Sequence, residues 1–471
     1  MSSSEVSIVH PRSHSFDFPG ESPLDADLTL DMLNYEKKQI DAIATIPNDF
    51  ITLGGYALYL STYPKRRDEA SAVWERCLST FPQVLPSYLY QAYSYYSSCY
   101  ATFLETTDTI KAELLYLKAL ELDPSNPTAM GDYSVFQHKT KKDYKAAKKA
   151  YEEALDVHPS HSAIWTKFAN FQKTVKGDLK AAEVAHVNAC KFAPKSADSN
   201  SAYAVFLHGS KGDFDSAELF YERAYSCDDT HTNNLSNYGL FMSEIRQDYI
   251  KASVLYERAI TVDSSHANAL YNYAVMNDSG TGNQTKAEEL YRQCLEVMPC
   301  HAYAVYNLAV LVEEVRGLSI TGKMEAEDLF ARACGISPND AQTLADYGRF
   351  RLVTCNDVDG AEELLKKSVA LDTNCVVANY NLGMLYIQHR GKMVDEACKL
   401  FNNVLASDSN HLEAYQQLAR ISNEKGDGKE ADRLYKKAIN CKGVDGSKIE
   451  KAKIEYDGFR TGAKVRRKSK A

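Results

Sequence analysis

Tyr203-Ala204-Val205-Phe206, with Ala217, Tyr221 and Ala224 behind it, returns as Tyr238-Gly239-Leu240-Phe241, Ala252, Tyr256 and Ala259. Every offset is 35 residues. Self-similarity at such a period, with aromatic and small residues held in phase, predicts paired helices that each bury a face on the neighbouring copy.

The phase extends in both directions. One small residue early in each second helix marks the copies: Ala70, Ala112, Ala147, Ala182, Ala217, Ala252, Ala287, Ala326, Ala361, Ala397 and Ala431. Seven residues on stands a second small side chain in nearly every copy, from Cys77 and Ala119 through Ala224 and Ala259 to Ala438. Two positions seven apart lie two turns apart on one helix face, where small side chains let a neighbouring helix approach. Between them sits a bulky residue such as Trp74, Tyr116, Tyr221, Tyr256 or Phe401. Asp143, Asp178, Asp213, Asp248, Asn283, Asp357 and Asp427 each precede the marker by four, the place of a helix N-cap. Pro82, Pro124, Pro159, Pro194, Pro299 and Pro338 follow it by twelve, where a helix has to stop.

This pattern of small, aromatic and small residues closed by proline resembles the tetratricopeptide repeat, most plainly at Tyr306-Asn307-Leu308-Ala309 and Tyr380-Asn381-Leu382-Gly383. The resemblance runs over residues 49–441 and implies an all-α, right-handed superhelical solenoid of about eleven antiparallel helix pairs. The common unit is one residue longer than the family's 34, and the extra residue is expected in the turn before the cap. Trp165-Thr166-Lys167-Phe168-Ala169 is also similar to the half-a-tetratricopeptide repeat of RNA-processing scaffolds. That family expects a glutamate where Gln172 stands, and the phased prolines favour the first resemblance.

Outside the repeats, residues 1–26 have the composition of a disordered tail, and 27–48 the helical spacing of a cap over the open end of the stack. A second capping helix is expected over 442–459. Residues 460–471, with Lys464, Arg466, Arg467, Lys468 and Lys470 and no acid, read as a basic disordered tail. Such a tail suits nuclear import, an anionic surface or mere solubility.

Composition narrows the function. A formal charge of -9 argues against a surface that coats nucleic acid, leaving only the basic tail for such contact. Eleven cysteines without a CxxC pair, and no apolar run long enough to span a membrane, place the chain in a reducing compartment, the cytoplasm or, through the tail, the nucleus. No phosphate-cradling glycine loop, HExxH, GxSxG or zinc-spaced Cys-His group occurs, so neither enzyme activity, a cofactor nor a metal is expected. His158 and His161 straddle Pro159 and suit a cap or solvent better than a metal.

One slot, immediately before the bulky residue of each first helix, remains informative. It holds Asp132, Lys167, Ala202, Asn237, Asn272, Asn307, Asp346, Asn381 and Gln417, polar in all copies but one. The resemblance implies that this slot faces a concave groove, where an asparagine holds the main chain of a bound peptide. A side-chain amide suits that work because it both donates and accepts. Asn237, Asn272 and Asn307 would form a ladder in three consecutive copies; a slot that is merely solvated accounts for the same polarity. A clamp for a chaperone's C-terminal carboxylate is not expected, since Lys167 is the lone base in the slot and none occurs four residues earlier. An unpaired buried carboxylate would be left uncompensated.

The sequence therefore predicts a non-catalytic scaffold or adaptor for protein partners. The competing expectation is a structural arm of a large ciliary, cytoskeletal or RNA-processing assembly.

Overall fold

The computed structural model of the protein describes residues 30–61, 66–80, 89–391 and 393–468. The expected tail 1–26 lies outside them, as do Pro82 and the far end of the basic tail, Lys470 included. No strand occurs among the described residues.

Two compact units are formed, one ending at Pro299 and one beginning at Cys300. The first opens with α1 (Leu30–Thr45), followed by the pairs α2 (Phe50–Ser61) and α3 (Arg67–Ser79), α4 (Tyr90–Leu104) and α5 (Thr109–Leu122), and α6 (Pro127–Lys139) and α7 (Tyr144–Val157). Its remaining pairs are α8 (Ser162–Thr174) and α9 (Leu179–Phe192), α10 (Ala197–Phe206) and α11 (Phe214–Cys227), α12 (Thr232–Phe241) and α13 (Tyr249–Val262), and α14 (Ala267–Val275) and α15 (Gln284–Val297). The second unit holds α16 (Ala302–Arg316) with α17 (Ile320–Ile336), α18 (Ala341–Val353) with α19 (Val358–Leu371), α20 (Val376–His389) with α21 (Val394–Ser407), and α22 (Leu412–Glu424) with α23 (Gly428–Ile439). It closes with α24 (Gly446–Lys468). The described helices thus contain the eleven expected pairs.

Why these residues pack as they do follows from the phase. All eleven marker alanines are fully buried, and the bulky residues between the small pairs, such as Trp74, Tyr116, Tyr221, Tyr256 and Phe330, are buried with them. Several bulky residues meet an aromatic of the next first helix: the rings of Tyr221 and Tyr238 stack at 5.4 Å, those of Tyr256 and Tyr273 at 5.3 Å, and those of Phe330 and Tyr347 at 5.8 Å. Such pairs add about 0.5–1.5 kcal/mol each beyond the area they bury. All seven expected caps form, each side chain accepting the backbone N–H three residues on, as Asp213 does from Ser216.

Adjacent pairs are also laced by exposed charges at a constant offset of 28 residues: Lys141 with Glu113, Lys211 with Glu183, Arg246 with Glu218, and Arg390 with Glu362. Exposed pairs of this kind are worth about 0–1 kcal/mol each, so register rather than stability is their main contribution.

The extra residue of the 35-residue unit does not lie in the turn. It widens the last turn of the first helix, which becomes π-helical at Leu207–Lys211, Met242–Arg246 and Met276–Thr281. The turn itself keeps one left-handed residue, Gly212 at φ 66° or Gln247 at φ 54°, just before the cap.

At the C-terminus the helix runs nine residues past the expected boundary at 459, so the backbone of 460–468 is helical where a disordered tail is expected. The sequence over 447–468 contains no proline to stop it. Tyr456 and Phe459 seat α24 on Tyr435 of α23, Ala452 packs with Leu412 and Ala438, and Glu455 pairs with Arg420 of α22 at 2.7 Å.

Candidate functional site

The slot residues divide into three groups. Asp132 and Lys167 are half-buried and pair with each other, Lys167 Nζ lying 2.5 Å from Asp132 Oδ1, so the only base of the slot is matched by the slot one copy earlier. Asn381 and Gln417 are half-buried in the second unit, and Asn381 donates to its own helix at Val377 O. Asn237, Asn272, Asn307 and Asp346 are buried at 0–3% exposure. The ladder is therefore not an open polar wall: in the first unit α10, α12 and α14 pack side by side and the slot points into their seams.

Asp346 shows what such burial demands. Its Oδ2 accepts from Tyr306 Oη at 2.7 Å and from Gln342 Nε2 at 2.8 Å. One turn on, Arg349 makes a two-pronged ion pair with Glu313 at 2.6 and 3.0 Å, and Thr354 Oγ1 donates to the same carboxylate. Arg349 Nε also faces Asp346 Oδ1 at 3.9 Å, so the buried charges of the two residues offset each other inside the second unit.

Two slot residues line a recess, Ala202 at its floor and the buried Asn237 at its side. Ala202, the single apolar occupant, floors this shallow recess of about 30 Å3 between α8, α10 and α12. Its floor is apolar, formed by Ala202, Val205 and Phe206 of α10. Asn170 of α8, half-buried, flanks it, and the buried Ser201 and Asn237 lie behind. The N-terminal end carries Asp198, His231 and Asn233; the C-terminal end carries Lys173.

The charges at the two ends are differently held. Asp198 is 78% exposed, and the His231 hydrogen bond at 2.8 Å keeps its carboxyl below the usual range. Burial lowers the pKa of the Lys173 ammonium. His231 itself is fixed at both nitrogens, because Nδ1 accepts the backbone N–H of Asn234 and caps α12 while Nε2 faces Asp198.

That arrangement repeats. His266 caps α14 through Ala269 N–H and meets Asn233 at 2.9 Å; His301 and His411 cap α16 and α22 the same way. Burial pulls His301 down to about 4, which keeps its imidazole neutral as an acceptor-type cap needs. The signal for these caps was in the sequence, as His231, His266 and His301 are spaced by 35. Asn170 and Lys173 lie three and six residues after Lys167 on α8, but their convergence on α10 becomes visible only with the helices in place.

The other sequence candidates are not drawn to this recess. His158 Nε2 contacts Ser125 O at 2.5 Å, and His161 takes the N-cap position of α8. Lys464, Arg466, Arg467 and Lys468 follow the backbone of α24. No group of three His, Cys, Asp or Glu suited to a metal ion occurs among the described residues. Nor is any of their helices long and apolar enough to cross a membrane.

Comparison with known proteins agrees with the repeat. A family model described as tetratricopeptide repeat matches residues 138–161, from the end of α6 to the turn before α8. The resemblance to that repeat is borne out there, while the half-a-tetratricopeptide resemblance finds no support. No curated protein matches the chain. Among solved structures, yeast Tom70 is similar at 14% identity over 85% of this chain and 94% of its own, with a TM-score of 0.41. A human IFIT1 dimer with PPP-AAAA is similar at 16% identity over 92% and 97%, with a TM-score of 0.47. Pseudomonas aeruginosa PilF is similar at 19% identity over 46% and 94%, with a TM-score of 0.41.

Proposed function

We propose that the protein is a non-catalytic scaffold whose first unit holds an extended segment of a protein partner against α8, α10 and α12. The observation that carries this reading is the recess over Ala202, an apolar floor beside the half-buried amide of Asn170. An amide at the rim suits a peptide main chain, which offers both donors and acceptors, and an apolar floor suits one partner side chain. We place this work in the cytoplasm, with nuclear entry through the basic C-terminal residues as the alternative.

A second reading, a structural arm in a larger assembly, has an observation of its own. On the outer helices of three successive pairs Val184, Leu219 and Val254 are 60%, 53% and 61% exposed. Each stands two residues after its marker alanine. Exposed apolar side chains in such phase suit a buried contact better than solvent.

Affinity purification from the source cells with wild type, Ala202→Trp and Leu219→Glu separates the two. Partner loss with Ala202→Trp and retention with Leu219→Glu supports the groove; the reverse pattern refutes it in favour of the arm.

A further inference from the structure

The recess is electrically polarised along α10. Its acidic end is Asp198 and its basic end Lys173, which the 35-residue phase sets level with His208. Ten helical residues separate those levels, about 15 Å at 1.5 Å per residue. Ala202 lies between them. An extended chain advances about 3.3 Å per residue and points alternate side chains to one face, so its residues i, i+2 and i+4 cover about 13 Å on a single side.

We propose that the recess selects an extended partner segment carrying an apolar side chain flanked, two residues to each side, by one base and one acid. The apolar residue sits over Ala202 and Val205. The base meets Asp198, and the acid meets Lys173. Either chain direction satisfies the pattern, and the half-buried amide of Asn170 holds the main chain between the charged ends. This rests on the proposed groove reading and adds the chemistry of its ligand.

Fluorescence anisotropy on the full chain tests it with labelled Gly-Lys-Ser-Leu-Ser-Glu-Gly, its reversed-order counterpart Gly-Glu-Ser-Leu-Ser-Lys-Gly, and versions with either or both charges replaced by Ser. At least one charged order is expected to bind, weakening by about tenfold when either charge is removed, the size of one lost charge-assisted hydrogen bond. Lys173→Glu, checked for folding by its melting curve, should lose that peptide and recover binding when the peptide acid is replaced by Lys. Asp198→Lys provides the same test at the exposed end, with the peptide base replaced by Glu. Equal binding of charged and neutral peptides, or no recovery in either swap, overturns the charge pattern. If the neutral peptide binds wild type but not Ala202→Trp, the groove reading survives that failure. If no peptide binds wild type, both are overturned.

Discussion

The backbone N–H of Asp213 donates to the carbonyl of Leu207, six residues back, at 3.1 Å. The same six-residue reach closes the first helix before Asp143, Asp178, Asp248, Asn283 and Asp357, all in units of 35 residues. Asp427 reaches only five back, to Ser422, and its marker Ala431 follows Ala397 by 34. A five-residue reach is that of an ordinary Schellman end, so the extra residue of the longer unit is the π-type widening of one turn. Deleting Ser210 should therefore convert that end to the ordinary form, with less than about 1 kcal/mol lost, within the usual range for surface changes. Deleting Glu218 in α11 should instead rotate Tyr221 and Ala224 off the buried face and abolish cooperative urea unfolding of the first unit.

Gly239 shows how close the two helices of a pair come. A Cβ there would lie 2.9 Å from the Tyr256 ring. Ala204 fills the equivalent place against Tyr221 and both are buried, so alanine is accommodated at this seam. Gly239→Ala should be nearly neutral, and Gly239→Val should destabilise by about 1–3 kcal/mol through overpacking, read as a shift in the urea midpoint.

Arg349 and Glu313 form an ion pair whose side chains are 6% and 10% exposed. Arg349→Met leaves the carboxylate unpaired and should cost about 3–5 kcal/mol, whereas adding Glu313→Gln should recover part of the loss. Chemical denaturation of both variants checks the pair.

Asp278 carries its carboxyl in a half-buried place where burial pushes its pKa up to about 6, against a weaker opposing hydrogen bond from Tyr291 at 3.4 Å. In the unfolded chain the group ionises near 4. The folded state thus binds more protons between about pH 4 and 6, and stability falls as pH rises through that window. Asp278→Asn should raise the melting temperature at pH 7, by on the order of 1–3 kcal/mol in stability, and flatten the melting temperature's dependence between pH 4 and 6. An unchanged slope would refute the assignment.

These tests divide along what the chain makes legible. Marker alanines, aromatics and caps follow from sequence because each obeys a local period that every copy enforces: Ala217 and Asp213 have the same neighbours as Ala252 and Asp248. The burial of Asn272 is not local. It depends on tertiary packing, with α12 laid against α14, and so an expected groove residue lies at 0% exposure. The recess needs still more, since Asn170, Ala202 and His231 come from three helices and converge only because one slot residue is an alanine. Its position beside Asn237 is where the broken pattern of the slot pointed.

Selection of random peptides displayed on phage, run in parallel on wild type and Ala202→Trp, tests the central claim most directly. The recess account predicts extended peptides enriched on wild type, with an apolar residue between opposite charges, and lost on Ala202→Trp at unchanged stability. Peptides recovered equally on both proteins would contradict it.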